Sequence, residues 1–141
     1  MRALLDTNIL VSGLFFQGPE RRLLVLALRG RFTPILAQDS VEEIQRVVLR
    51  KFQRDPRLPR AMTLLAAILA KTEVVPRERY AARVKEALGL VRDAKDAPIL
   101  AAALAAQVEA LISGDRDLHE LRAPVPFPVW RTRAILERLE H

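Results

Sequence analysis

Five short apolar runs, separated by segments of helical character, limit what this chain can fold into. Residues 2–6, 33–37, 72–75, 109–113 and about 127–130 read as strands. Between and after them, residues 8–15, 20–29, 59–71, 78–89 and 97–107 read as helices. A further helix starts at Asp39 or Ser40 and runs to about residue 51. A single turn is expected around 117–121, and a last helix over 132–139. Strands joined through whole helices pair in parallel, and the helices then cover both faces of the sheet. The expected fold is therefore α/β: a three-layer α/β/α sandwich with a mostly parallel central sheet, as one domain over residues 1–141. Punctuation agrees with this reading. Gly30 stands past a helix end, Pro98 falls in a first helical turn, and Pro124, Pro126 and Pro128 flank the last strand.

In such sheets ligands bind outside the carboxyl ends of the strands, and that is where this chain keeps its acids. Asp6 closes the first strand. Asp115 and Asp117 follow the fourth, in Ser113-Gly114-Asp115-Arg116-Asp117. Asp96 opens an almost wholly apolar helix, and Glu43 lies early in another. Each acid also has a structural reading. Asp6 suits a helix cap, as do Asp39 and Ser40. Asp93 and Asp96 compete for one cap. Asp115 and Asp117 suit a turn, and Ser40-x-x-Glu43 has the spacing of a capping box. Those readings leave their convergence on one sheet edge unexplained. Clustered carboxylates repel one another unless a cation holds them, and an all-oxygen site suits Mg²⁺ or Mn²⁺.

The formal net charge is +6, which favours a polyanionic partner, most simply nucleic acid. Arginine outnumbers lysine 19 to 4, so compositional bias also contributes, with many arginines solvating helix faces. The chain contains one asparagine, Asn8, two residues from Asp6. There is no cysteine, which excludes disulfides and zinc–thiolate sites and fits a reducing cytoplasm. No apolar run approaches the ~18 residues of a membrane span, so a cytoplasmic protein with no membrane association is expected. The N-terminus reads as a strand rather than a signal peptide.

The acid-bearing segments resemble those of PIN domains, the nuclease fold of VapC-type toxins in bacterial and archaeal toxin–antitoxin pairs. Leu5-Asp6-Thr7-Asn8-Ile9-Leu10 resembles the opening motif, with its metal-binding Asp at Asp6. Ser40-Val41-Glu42-Glu43-Ile44 resembles the segment carrying the family's Glu, which falls on Glu43, with Glu42 adjacent. Arg92-Asp93-Ala94-Lys95-Asp96-Ala97-Pro98 resembles the third motif, and Ser113-Gly114-Asp115-Arg116-Asp117-Leu118 the fourth. The resemblance implies a PIN-like sandwich and a divalent-metal-dependent ribonuclease. Its catalytic acids would be Asp6, Glu43, Asp96 and Asp115. Asp6, Asp96, Asp115 and Asp117 would be metal ligands, with Asn8, Ser113, Asp117 and Asp93 as accessory groups. It also implies an RNA substrate and a cognate antitoxin.

A homodimer is expected from surplus apolar surface, chiefly on helix 97–107 and also on Leu14, Phe15, Phe16 and residues 58–69. His119 reads as a solvated helix residue beside the acid loop, and His141 as a terminus without a role. Two other functions compete. A haloacid dehalogenase-type phosphatase would use Asp6 as nucleophile, but it needs an acid where Asn8 stands. A non-catalytic RNA-binding or scaffold module would be expected to have lost acids that this chain retains.

Overall fold

The computed structural model describes residues 1–140, apart from the Leu49 side chain; the reading of His141 lies outside the described residues. The chain runs β1 (Arg2–Leu5), α1 (Thr7–Phe15), α2 (Pro19–Leu28), β2 (Thr33–Ala37), α3 (Gln38–Lys51), α4 (Leu58–Lys71) and β3 (Glu73–Val75). It continues through α5 (Arg77–Tyr80), α6 (Val84–Leu88), α7 (Ala97–Ala106), β4 (Ala110–Ile112), α8 (Arg116–His119), β5 (Val129–Trp130) and α9 (Thr132–Leu139).

The five strands form one sheet in the order β3-β2-β1-β4-β5. All four pairings are parallel, so the sheet is parallel throughout, not only mostly so. Alternate strand residues enter opposite layers, as the two-residue side-chain period requires. Ala3, Leu5, Leu36, Ala110 and Ile112 pack with apolar residues of α1, α2, α3, α4 and α9. Leu4, Ile35, Ala37 and Leu111 pack on the other side with α7, Tyr80, Ala87 and Leu118. These are the three layers expected from the sequence. Among the described residues no helix is long and apolar enough to cross a membrane.

Element boundaries differ from the sequence reading in three informative places. Helix α3 begins at Gln38, straight out of β2, with Ala37 at the cap position and no side-chain cap. Asp39 and Ser40 are therefore inside the helix rather than capping it, and no capping box with Glu43 closes the end. The segment 78–89 is not one helix: a 3₁₀ turn over Ala81–Arg83 separates α5 from α6. Tyr80 and Ala87 are both buried, so the amphipathic pattern survives the change in backbone bonding. The last strand is trimmed to Val129–Trp130. Leu111 of β4 and Ser113 just beyond it donate to the carbonyls of Pro128 and Trp130, a pairing that asks no N–H of proline and suits a sheet edge.

Helix α7 is buried along nearly its whole length, with Ala97 and residues 99–104 all inaccessible to solvent or nearly so. The sheet covers one side and the α5–α6 segment the other. Its all-round apolarity is thus consumed within the monomer, and that basis for a dimer disappears.

Candidate active site

Strand order places the site. From β1 the chain moves outward to β2 and β3, then returns to β4 on the other side of β1. The carboxyl ends of β1 and β4 are thus a switch point, where the connections leave in opposite directions and open a crevice. Leu5 is in register with Ile112, so the next residues, Asp6 and Ser113, emerge side by side. The Asp6 N–H donates to the Ile112 carbonyl at 2.9 Å, and the Ser113 Oγ donates to Asp6 Oδ2 at 2.8 Å. The same Ser113 Oγ accepts from the Asp115 N–H at 2.9 Å. One buried hydroxyl therefore fixes both strand-end acids.

The resulting pocket, ≈ 450 Å³, is lined by Asp6, Asn8, Glu43, Asp96 and Asp115, with Thr7, Asp39, Ser40, Glu42, Arg46, Arg77 and Lys95 among the other residues of its wall. The four acids expected to be catalytic thus share one cavity. Asp117 and Asp93 are not in that wall. They group instead with Asp96: one carboxylate oxygen from each of Asp93, Asp96 and Asp117 lies within 4.8 Å of the others. Asp96 belongs to both groups and joins them.

The competition between Asp93 and Asp96 for a cap is resolved by a short 3₁₀ turn over Ala94–Asp96. Asp93 Oδ1 accepts from the Lys95 N–H at 3.1 Å, while Asp96, at the head of α7, makes no side-chain cap. Asp96 is 7% exposed. Its Oδ2 is buried with no hydrogen-bond partner, alone in this among the described side chains. Burial, then the adjacent charge of Asp115, push its carboxyl up to about 7. Burial likewise raises the Asp6 carboxyl, partly offset by the Ser113 hydrogen bond.

Cations surround these acids without neutralising them. No ion pair to Asp6, Glu43, Asp96, Asp115 or Asp117 occurs among the described residues. Arg77 is committed to Asp39, with Nε 2.7 Å from Oδ1, and to Glu42, with Nη2 2.6 Å from Oε2. Lys95 Nζ lies 3.5 Å from Asp93 Oδ2. The donor set is all oxygen, several carboxylates converge, and a buried oxygen lacks a partner. That combination fits a hard divalent cation such as Mg²⁺ or Mn²⁺.

The structure also distinguishes Glu42 from Glu43. Both line the pocket, but Glu42 is paired with Arg77, whereas Glu43 has no ion pair among the described residues and its Oε2 accepts from the buried Thr7 Oγ1 at 3.2 Å, which ties it to the residue after Asp6. Asn8 is exposed at the pocket wall. Two contributors escaped the sequence reading. Thr7 gave no signal beyond its place after Asp6. His119 is not simply solvated: its Nε2 lies 2.7 Å from the Ser113 carbonyl oxygen and braces the acid loop. Asp115 caps α8 by accepting from the Asp117 N–H at 2.9 Å, so its turn role and its place in the pocket coexist.

A parallel α/β sandwich with a carboxylate pocket at its switch point is the class of protein that fold and site define. The PIN domain family matches residues 2–117, and the chain belongs to that family. No curated protein matches it. Among solved structures it is similar to VapBC2 from Rickettsia felis bound to a DNA fragment from its promoter. The TM-score is 0.65 at 17% identity, over 93% of this chain and 98% of that one. At that identity the likeness is one of fold.

Proposed function

We propose that this chain is a divalent-metal-dependent endoribonuclease, the toxin component of a toxin–antitoxin pair. The observation that carries the reading is Asp96, a buried carboxylate with an unpartnered oxygen that joins two groups of acids. No hydrogen-bond donor or ion-pair partner reaches that oxygen among the described residues, and a cation would satisfy it. Membership of the PIN family and the overall positive charge agree with a nuclease acting on a polyanion.

Asp6, Asp96, Asp115 and Asp117 would hold Mg²⁺ or Mn²⁺, with Asp93 beside them. Such an ion, when bound, makes water nucleophilic at neutral pH and stabilises a leaving oxygen. The chain's own groups would do the rest. Glu43, anchored through Thr7, orients the attacking water and accepts its proton on the carboxylate. Ser113 keeps Asp6 and Asp115 in fixed rotamers, a role of the kind that typically changes metal affinity or activity by roughly 10–100-fold. Asn8 offers its amide to a phosphate oxygen at the pocket wall.

An antitoxin partner is part of the proposal because the similar structure from Rickettsia felis is a VapBC assembly. The expected homodimer would use the solvent face of α4, where Met62 is 43% exposed, and Phe16 at the end of α1, 48% exposed. Incubating the protein with a panel of structured and single-stranded RNAs tests the enzyme. Cleavage is expected with Mg²⁺ or Mn²⁺ and is expected to disappear in EDTA and in Asp6→Asn and Asp115→Asn. Full activity in either variant, or cleavage undiminished by EDTA, would overturn the assignment.

A further inference from the structure

We propose that a second groove, continuous with the acid pocket, carries the phosphate backbone of the RNA strand on one side of the cleavage point, with Arg131 and Arg133 as its phosphate contacts. The inference rests on the ribonuclease reading and extends it to parts of the chain beyond residues 2–117, where the family match ends.

The groove encloses ≈ 820 Å³. Asn8, Lys95 and Asp115 line both it and the acid pocket, so a strand bound at the acids has a continuous way out. Its outer wall is Arg131, Thr132 and Arg133 at the start of α9. Neither arginine forms an ion pair among the described residues. Arg131 Nη1 donates instead to the Gly114 carbonyl at 3.0 Å, which orients the guanidinium without cancelling its charge. Arg77, on the other flank of the acids, contrasts with it, because Asp39 and Glu42 already occupy its guanidinium. Planar guanidinium groups suit phosphate, and each phosphate contact gains from counterion release.

Apart from Pro19 and the core residue Ile9, the residues of the groove's lining are polar, charged or glycine, and three of them are cationic. Its acid other than Asp115, Glu20, accepts a hydrogen bond from Ser12 at 3.3 Å. The bond to Gly114 has a further consequence. That residue precedes Asp115, so a phosphate on Arg131 is held in fixed register with the acid loop. Arg131 is in this sense a positioning residue, and Arg133 a binding one.

The test uses fluorescence anisotropy of a labelled single-stranded RNA on the full-length Asp6→Asn protein, which is not expected to cleave. Adding Arg131→Ala and Arg133→Ala is expected to weaken binding at least tenfold at low salt. The slope of log K against log salt should become shallower by about 1.4, from two phosphates at roughly 0.7 each. Arg131→Lys with Arg133→Lys should restore most of the slope. Arg133→Ala alone, which leaves the Gly114 contact intact, should give about half the change and so separates phosphate binding from damage to the acid loop. Unchanged affinity and slope in the double alanine protein would overturn the groove and leave it to a protein segment. Arginine-dependent RNA binding together with a wild-type protein that cleaves no RNA would support the groove and refute the ribonuclease reading instead.

Discussion

Asp96 shows at the scale of one residue how the fold stores an unfavourable charge. Its carboxyl titrates near 7 in the folded chain, against 3.8 ordinarily, because it is buried beside Asp115. The folded state therefore binds the proton more tightly than the unfolded state does. Below about pH 4 both states are protonated and there is no penalty. Between about 4 and 7 the metal-free protein loses stability as pH rises, and above 7 the loss is complete. Thermal melts in EDTA should show this decline, and Asp96→Asn should flatten it and raise the melting temperature at neutral pH. A variant as pH-sensitive as the wild type would show that the repulsion lies elsewhere. Since a cation must displace the same proton, Mn²⁺ affinity by calorimetry is expected to tighten as pH rises through 7. Ser113 works at this scale too. Its hydroxyl serves Asp6 and Asp115 together, so Ser113→Ala should reduce activity by roughly 10–100-fold.

Between neighbouring elements, small backbone devices decide which side chains remain available. Asp93 performs the capping that Asp96 was equally placed to perform, and so releases Asp96 to the pocket. Asp93→Ala should cost about 1 kcal/mol of stability, as loss of a cap does. Asp93→Ser keeps a cap oxygen but not the charge, so its stability should stay near wild type while Mn²⁺ affinity falls. Equal Mn²⁺ affinity in Asp93→Ser and wild type would confine Asp93 to capping. The packing of α1 on α2 depends on Gly13, where a Cβ would stand 2.6 Å from Leu24 Cδ1 and 2.9 Å from the Glu20 carbonyl oxygen. Gly13→Ala should lose about 1–3 kcal/mol through overpacking, measurable by denaturant titration. Elements were also the level at which the sequence spoke most clearly. A strand end is written locally, as an apolar run stopped by an acid, and this located Asp6 and Asp115 at one sheet edge. The choice between Asp93 and Asp96 was not legible, because both carry the same cap signal. The Thr7–Glu43 and Arg131–Gly114 contacts were not legible either. They join segments 36 and 17 residues apart in sequence that meet only once the strand order is known.

Over the whole molecule, charge and apolar surface are divided between regions. Among the described residues five acids without an ion pair, Asp6, Glu43, Asp96, Asp115 and Asp117, gather near the carboxyl edge of the sheet, while many acids elsewhere are paired, as in Arg2–Glu73, Arg22–Glu140 and Arg92–Glu120. Apolar residues are absorbed by the two core layers, including helix 97–107, which had been the strongest sequence argument for a dimer. Exposed large apolar side chains stand singly at Met1, Val74 and Leu88, whereas α4 offers a continuous face for self-association. Its exposed face carries Pro59, Met62, Ala66, Ala67 and Ala70, with Arg60 and Thr63 alongside. Phe16 is likewise exposed, with the Arg57 guanidinium 4.8 Å over its ring. Small residues and one flexible thioether let two helices approach closely, while the absence of an acid on this face leaves Arg60 unopposed. A dimer through α4 would thus be apolar at its centre and mildly repulsive at its rim, strengthening rather than weakening with salt. That is opposite to RNA binding, whose affinity falls as salt rises. Light scattering at micromolar protein should report a dimer whose dissociation constant improves between low and moderate salt. Met62→Glu should convert it to a monomer while leaving the acid pocket and its cation affinity unchanged. A wild type that is monomeric at every salt concentration would remove the dimer and leave the α4 face to another partner.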